Sequence, residues 1–117
     1  MTFLFVINDA PYGTEKAYNA LRLAMALQKE QQDVGVRVFL MADAVLCALP
    51  GQSTPQGYYN VGRMLGSVIA RGGEVKLCGS CMDARGLRDL DLIKGTQRGS
   101  MAELARWSVK SDRVFTF

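Results

Sequence analysis

Two cysteines, Cys78 and Cys81, are separated by two residues in a chain that has one other cysteine, Cys47, and no histidine. This spacing is compatible with a dithiol redox pair, half of a metal site, a sulfur carrier, or small apolar residues that only pack. A structural zinc site usually needs four thiolate or imidazole ligands, so no metal site is predicted. Without histidine, a Cys-His catalytic pair within one chain is excluded.

Cys78 is the strongest candidate for a reactive thiol. It ends a predicted strand, Glu74 to Cys78, and reactive groups of open α/β sheets collect in the loops beyond the carboxyl ends of strands. The amides of Gly79 and Ser80, together with the guanidinium of Arg85, would favour a thiolate at this position. Reactivity and simple packing are evenly balanced for Cys78 on these grounds.

Packing is the favoured interpretation for the other two cysteines, because free cysteine behaves as a small hydrophobic residue. Cys81 would pack beneath the loop, and Cys47 lies in the apolar run from Ala44 to Leu49. Neither residue is predicted to act as the primary nucleophile.

A second loop, from Asn8 to Thr14, follows the first predicted strand and would reach the same edge of the sheet. Asn8, Asp9 and Tyr12 are therefore candidate pocket residues by loop position alone, and Arg85 is a further candidate pocket residue. The segment lacks the Walker A spacing and the three-glycine dinucleotide pattern, so neither a nucleotide nor another cofactor is predicted.

The elements that would position these residues alternate between strands and helices. Strands are predicted over Phe3–Ile7, Val34–Met41, Glu74–Cys78, a weak run near Ile93–Gln97, and Arg113–Phe117. Helices are predicted from Thr14 to about Gln31, over Asp43–Leu49, from Asn60 to Arg71, near Leu87–Leu92, and over Met101–Lys110. This alternation predicts a single α/β domain, residues 1–117, with a mainly parallel sheet and helices on both faces.

Local signals fix several of the predicted helix ends. Thr14 and Asn60 are predicted N-caps, and Ser100 with Glu103 forms a capping-box pattern. Gly72 lies where a C-terminal glycine cap belongs. The loop between Pro50 and Gly57 is predicted to be exposed.

Composition limits the class of protein. The chain has 117 residues, 49% of them hydrophobic and 21% charged, with a net charge of +3. No apolar run is long enough to cross a bilayer, and no basic stripe with interleaved aromatics is present, so neither a membrane nor a nucleic-acid partner is predicted. No signal peptide pattern is recognised, and a cytoplasmic protein is the default expectation.

Four segments together resemble one known family over essentially the whole chain. They are "NDAPYGTEKAYNALRLAMAL", "VRVFLMADAV", "VKLCGSCMDARG" and "ELARWSVKSDRVFTF", which resemble the DsrE/DsrF-like family and most closely its YchN-like branch. The resemblance implies a three-layer α/β/α subunit with a sheet of about five strands, and ring-like assembly, commonly hexamers built from trimers.

The same resemblance implies a function. Better-understood relatives are small sulfur carriers in which a cysteine after the third core strand holds sulfane sulfur as a persulfide. Cys78 matches that position, and Cys81 matches a second cysteine of the YchN-like branch. The leading hypothesis is therefore sulfur-carrier or sulfurtransferase-like activity on Cys78, with donor and acceptor proteins as partners and Cys81 as a resolving thiol.

Two alternatives remain open at this point. One is a non-catalytic oligomeric binding or scaffold protein in which Cys78 only packs, and the other is a Cys78/Cys81 thiol redox protein. In either case an assembly of identical chains is expected, because apolar residues surround most of the first helix, fill Ala44–Leu49, and recur at Met82 and Met101. The family resemblance implies that this assembly is a homotrimer or homohexamer.

Overall fold

A computed structural model describes all residues, 1–117, and contains five strands, four α-helices and one 3₁₀ helix. The strands are β1 (Thr2–Ile7), β2 (Gly35–Leu40), β3 (Glu74–Cys78), β4 (Thr96–Gly99) and β5 (Arg113–Thr116). The α-helices are α1 (Lys16–Glu30), α2 (Val61–Ala70), α3 (Gly79–Ala84) and α4 (Met101–Lys110). The 3₁₀ helix covers Ala42–Ala48.

The strands form one parallel sheet in the order β4-β3-β2-β1-β5. The chain moves in one direction from β1 to β4, and only the last crossover returns across the sheet to β5. Because crossovers between parallel strands are right-handed, the first three place their helices on one face and the last places α4 on the other. The predicted three-layer α/β/α fold is confirmed.

The core lies on both faces of this sheet. Phe5 and Leu77 are fully buried, and α2 contributes its fully buried Leu65. On the α4 face, the ring of Trp107 meets that of Phe39 edge-on, with centroids 6.1 Å apart. Arg37 also lies over the Trp107 ring, 5.3 Å from its centroid, so one aromatic residue anchors α4 to the sheet.

Three of the predicted helix ends are confirmed. The Asn60 side chain accepts a hydrogen bond from the Arg63 amide at 3.0 Å, and Ser100 Oγ accepts one from the Glu103 amide at 3.2 Å. Gly72 adopts a φ of +89° just after α2, where a residue with a Cβ would be strained. The Thr14 cap is wrong by one residue, because Glu15 holds the N-cap position and makes no side-chain cap bond.

The prediction for the segment after β3 is also wrong. The helix lies at Gly79–Ala84, so it begins inside the C-x-x-C sequence and continues past it, whereas Leu87–Leu92 forms turns. Gly86 has a φ of +71° and ends the helical path, and the Leu87 amide turns back to donate to the Met82 carbonyl at 2.9 Å. Leu87 is therefore a buried core residue next to the end of α3 and does not belong to a new helix.

Part of the apolar surface expected to lie between subunits is buried within the chain. Val45, Cys47 and Met82 belong to the core, whereas Met101 is 64% exposed as expected. The remaining exposed apolar side chains are spread over several elements. No helix of the chain is long and apolar enough to span a membrane.

Candidate functional site

A cavity opens where β3 and β4 lie side by side and their following helices leave to opposite faces of the sheet. α3 follows β3 on one face and α4 follows β4 on the other, which makes this edge a topological switch point, the usual ligand crevice of open α/β sheets. The cavity has a volume of about 320 Å³. Its lining consists of Phe39, Met41, Cys78, Gly79, Ser80, Arg98, Gly99, Ser100 and Met101.

Cys78 is at the same time the last residue of β3 and the N-cap of α3. Its Sγ accepts a hydrogen bond from the Cys81 amide at 3.3 Å and lies 3.4 Å from Ser80 Oγ. Only 9% of Cys78 is exposed, and the residue forms part of the cavity lining. The two cysteines are thus one helical turn apart, and the Cys78 sulfur accepts the amide hydrogen bond of Cys81 as an N-cap does.

The two cysteines differ in the direction of their pKa shifts. Burial acts to raise the pKa of Cys78, but hydrogen bonds from the side chain and amide of Cys81 and from Ser80 outweigh it, so this pKa is lowered below its usual 9.0. Burial and the interaction with Cys78 raise the pKa of Cys81. Of the two thiols, Cys78 is therefore the one that ionises more readily.

Cys81 is held from the side of the 3₁₀ helix. Ala42 adopts a φ of +49°, a conformation uncommon outside glycine, and its amide donates to Cys81 Sγ at 3.2 Å. Arg85 donates from Nη1 to the Cys81 carbonyl at 3.1 Å and from Nε to Asp43 Oδ1 at 2.8 Å. Arg85, a predicted pocket residue, thus lies on the Cys81 side and does not line the cavity.

The third cysteine takes no part in this arrangement. Cys47 is fully buried in the 3₁₀ helix, and burial raises the pKa of its thiol to about 12. No group of three or more cysteine, aspartate or glutamate side chains is placed to hold a metal ion.

The loop after β1 lies away from Cys78. Asn8 Nδ2 donates to the carbonyl of Phe117 at 3.3 Å, Asp9 accepts from Thr14, and the Tyr12 hydroxyl accepts from the Val61 amide at 3.1 Å. None of the three candidate residues lines the cavity beside Cys78. The reason is the strand order, which places β2 between β1 and β3.

Arg98 is the site residue that sequence reasoning missed. It lies on β4, lines the cavity, and donates two hydrogen bonds to the Asp83 carboxylate, at 2.7 and 2.9 Å. Its guanidinium lies against Gly79, where an added Cβ would come within 2.7 Å of Cζ. The only sequence signal for this arrangement was an arginine among aspartates, which also occurs on any solvated loop.

The fold and the site together point to one class of protein: an open parallel sheet whose third strand ends in a cysteine that caps the next helix and has a lowered pKa. The chain belongs to the DsrE/DsrF-like family, whose family model matches residues 1–117. Membership of this family indicates a sulfur-relay kind of role.

Particular relatives make the assignment narrower. The chain is 45% identical over 114 residues to Protein YchN of Escherichia coli K12, with 97% of each chain covered. The crystal structure of the ychN protein from E. coli superposes with a TM-score of 0.95 at 44% identity, covering 99% of this chain and 98% of that one. Uncharacterized protein MJ0989 of Methanocaldococcus jannaschii is 39% identical over 117 residues, covering 100% of both chains. The resemblance to the YchN-like branch is confirmed.

Proposed function

We propose that this protein is a small sulfur carrier that holds sulfane sulfur as a persulfide on Cys78. The observation that carries the proposal is the asymmetry of the two cysteines: the pKa is lowered for Cys78 alone, and Cys78 alone lines the cavity. A carrier needs one thiolate that can attack and leave, in a crevice that a donor can reach.

Loading is a sulfur transfer between thiolates. The Cys78 thiolate attacks the outer sulfur of a donor persulfide, so a new S–S bond forms at Cys78 while the donor's S–S bond breaks. The donor leaves as a thiolate, and no net oxidation occurs. The Cys81 amide, which donates to Cys78 Sγ at 3.3 Å, stabilises the thiolate before the attack. The lowered pKa of Cys78 also makes it a better leaving group in the next step.

Unloading repeats the same chemistry in reverse. An acceptor thiolate attacks the outer sulfur of the Cys78 persulfide, becomes a persulfide itself, and releases Cys78 as a thiolate. Cys81 offers a second exit, because its thiolate can attack Cys78 Sγ, expel hydrosulfide and leave a Cys78–Cys81 disulfide. That exit reduces the sulfane sulfur and oxidises the cysteine pair, and a dithiol reductant must then restore both thiols. The raised pKa of Cys81 keeps this exit slow.

The test is to load the reduced protein with a small persulfide and weigh it intact. We expect wild type to gain one sulfur atom and to lose it when a thiol acceptor is added. Cys78→Ser should gain none, whereas Cys47→Ser should behave as wild type, because Cys47 is fully buried. Cys81→Ser should keep its persulfide longer, because the disulfide exit is closed. No gain on wild type, or an undiminished gain in Cys78→Ser, would refute the proposal.

A dithiol–disulfide function is the second candidate, and the contact between Cys78 and the first turn of α3 favours it. Cys81 donates its amide to Cys78 Sγ, so both thiols belong to one helical turn. A redox protein would cycle this pair reversibly at a potential that the cytosol can reach. Titration in dithiol buffers of known potential separates the candidates, because a pure carrier has no need of a stable disulfide at such potentials.

We also propose that identical subunits assemble into a trimer or hexamer that meets donor and acceptor proteins through the Cys78 cavity. A single helix of ten residues, α4, covers one face of the sheet, and Val114 of the outer strand β5 is 47% exposed there. Met101 is 64% exposed at the cavity, and Val109 is 85% exposed on the same helix. Surplus apolar surface of this kind is commonly buried between identical chains. The proposed chemistry needs reduced thiols, which suits the cytoplasm.

A further inference from the structure

We propose that Arg98 is a positioning residue that holds a positive charge beside the Cys78 sulfur, and that Gly79 is a glycine because only a residue without a Cβ leaves room for it. The inference goes beyond the proposed function, because it concerns the ionisation of Cys78 whatever the thiolate attacks. It assigns a role to two residues, one on β4 and one at the start of α3.

The contact between Arg98 and Gly79 is the first observation. A Cβ built on Gly79 would lie 2.7 Å from Cζ and 2.8 Å from both Nε and Nη2 of Arg98, closer than real Cβ contacts. The flat guanidinium group thus occupies the space over the residue that follows Cys78. Gly79 has no need of its conformational freedom, since it lies in α3 and its φ is not positive. A glycine at this position therefore lets Arg98 lie where it does, and an added Cβ would displace the guanidinium.

The pairing of Arg98 with Asp83 is the second observation. Two hydrogen bonds, 2.7 Å from Nη1 and 2.9 Å from Nη2, fix the guanidinium to one turn of α3. Asp83 accordingly raises the pKa of Arg98, and the charge of Cys78 raises it further. Interaction between two charges is mutual, so Arg98 favours the Cys78 thiolate, by less than the hydrogen bonds from Cys81 and Ser80 that chiefly lower the pKa of Cys78. The neighbours that affect the pKa of Asp83 are Arg98 and Arg88, and Cys78 is not among them.

The other charged groups around Cys78 are already paired with one another. On β3 and α4, Lys76 forms an ion pair with Glu103. On the 3₁₀ helix, Asp43 is paired with Arg85 at 2.8 Å. Cys81 contributes a thiol whose pKa is raised, so it carries no charge near neutral pH. Arg98 is also paired, with Asp83, but of these three cations it alone lines the cavity with Cys78.

The experiment measures the pKa of Cys78 from the pH profile of its alkylation, followed at that residue by peptide mass spectrometry under reducing conditions. An opposite charge in contact shifts a pKa by roughly one to three units when it is desolvated. Because 47% of the Arg98 side chain is exposed, solvent screening makes the expected pKa shift of Cys78 smaller. We expect Arg98→Met to raise the pKa of Cys78 by about half a unit, an approximately threefold fall in thiolate below the pKa.

Three further variants separate this role from a merely structural link between α3 and β4. Arg98→Lys keeps the charge and should recover at least half of the shift. Gly79→Ala should displace the guanidinium and raise the pKa of Cys78 as Arg98→Met does, yet add nothing in the Arg98→Met background. Arg71→Met removes the same charge at the end of α2, near the start of β3 and so at the other end of that strand from Cys78. It should leave the pKa of Cys78 unchanged.

The inference is overturned if Arg98→Met leaves the pKa of Cys78 unchanged while the protein stays folded by circular dichroism. It is equally overturned if Gly79→Ala shifts the pKa as much in the Arg98→Met background as in wild type. The measurement uses no sulfur donor, so its failure leaves the persulfide proposal standing, and failure of persulfide loading leaves this inference standing.

Discussion

The three cysteines should react with an alkylating agent in a fixed order: Cys78 first, Cys81 later, and Cys47 only when the protein unfolds. The perturbation is a pulse of iodoacetamide at pH 7 on the reduced native protein. The pKa is lowered for Cys78, raised for Cys81, and raised to about 12 for Cys47. Since the thiolate is the reactive form, these shifts set the order.

Cys47 can be alkylated in the native state or after unfolding, and both routes are slower than the alkylation of Cys78. A thiol with a pKa below 9.0 is more than about a hundredth ionised at pH 7, whereas one near 12 is ionised to about one part in 10⁵. The greater nucleophilicity of the more basic thiolate reduces this gap to about fortyfold. Cys47 is fully buried, and the alternative route through unfolding restores an ordinary pKa but costs about 5 kcal/mol, which slows that route by more than about a thousandfold.

Site-resolved mass spectrometry after timed quenching provides the assay. The fast phase should disappear in Cys78→Ser and persist in Cys47→Ser. Labelling of Cys78 only in denaturant would refute the reasoning and favour the scaffold alternative, in which this residue merely packs. Labelling of Cys81 before Cys78 would show that the assignment of nucleophile and neighbour is reversed.

Two other predictions concern the frame around the site. Phe39→Ala removes a ring that is 1% exposed and should cost about 3–5 kcal/mol, which for 117 residues lowers Tm by about 12–20 °C. Thermal unfolding under reducing conditions measures it, with Gln56→Ala on the exposed loop as the control; a loss below about 1 kcal/mol would contradict the core assignment. Light scattering with a reductant should give a trimeric or hexameric mass that persists on dilution, whereas a monomeric mass would exclude assembly.

Local signals in the sequence were sufficient for most of the elements but not for the segment after β3. Asn60 and Ser100 cap their helices because a cap is decided by a few neighbouring residues. The helix at Gly79–Ala84 has six residues and begins with glycine and serine, which are weak helix formers, so its own sequence does not predict a helix. It forms because Cys78 caps it and Met82 and Leu87 are buried beneath it.

The same limit explains which parts of the site could be predicted. That Cys78 ends a strand follows from sequence, and so does its place at the reactive edge of the sheet. That Asn8, Asp9 and Tyr12 lie elsewhere requires the strand order, which hydrophobic periodicity does not contain. The partner of Arg98 is likewise a tertiary fact, since Asp83 lies 15 residues earlier and meets it only because β4 is placed beside β3.

The division of labour between the two cysteines follows from topology. Because the crossover after β3 and the crossover after β4 leave to opposite faces, the end of β3 borders an open crevice and not another packed helix. At this end of β3, Cys78 is the N-cap of α3, so the first turn of the helix supplies the Cys81 amide to its sulfur, while the Cys81 sulfur accepts from the amide of Ala42. The pKa is therefore lowered for the thiol at the crevice and raised for the thiol behind it. A C-x-x-C sequence placed within a regular helix would lack this difference, so the position of the motif at a switch point, and not its spacing, is what supports the proposed carrier role of Cys78.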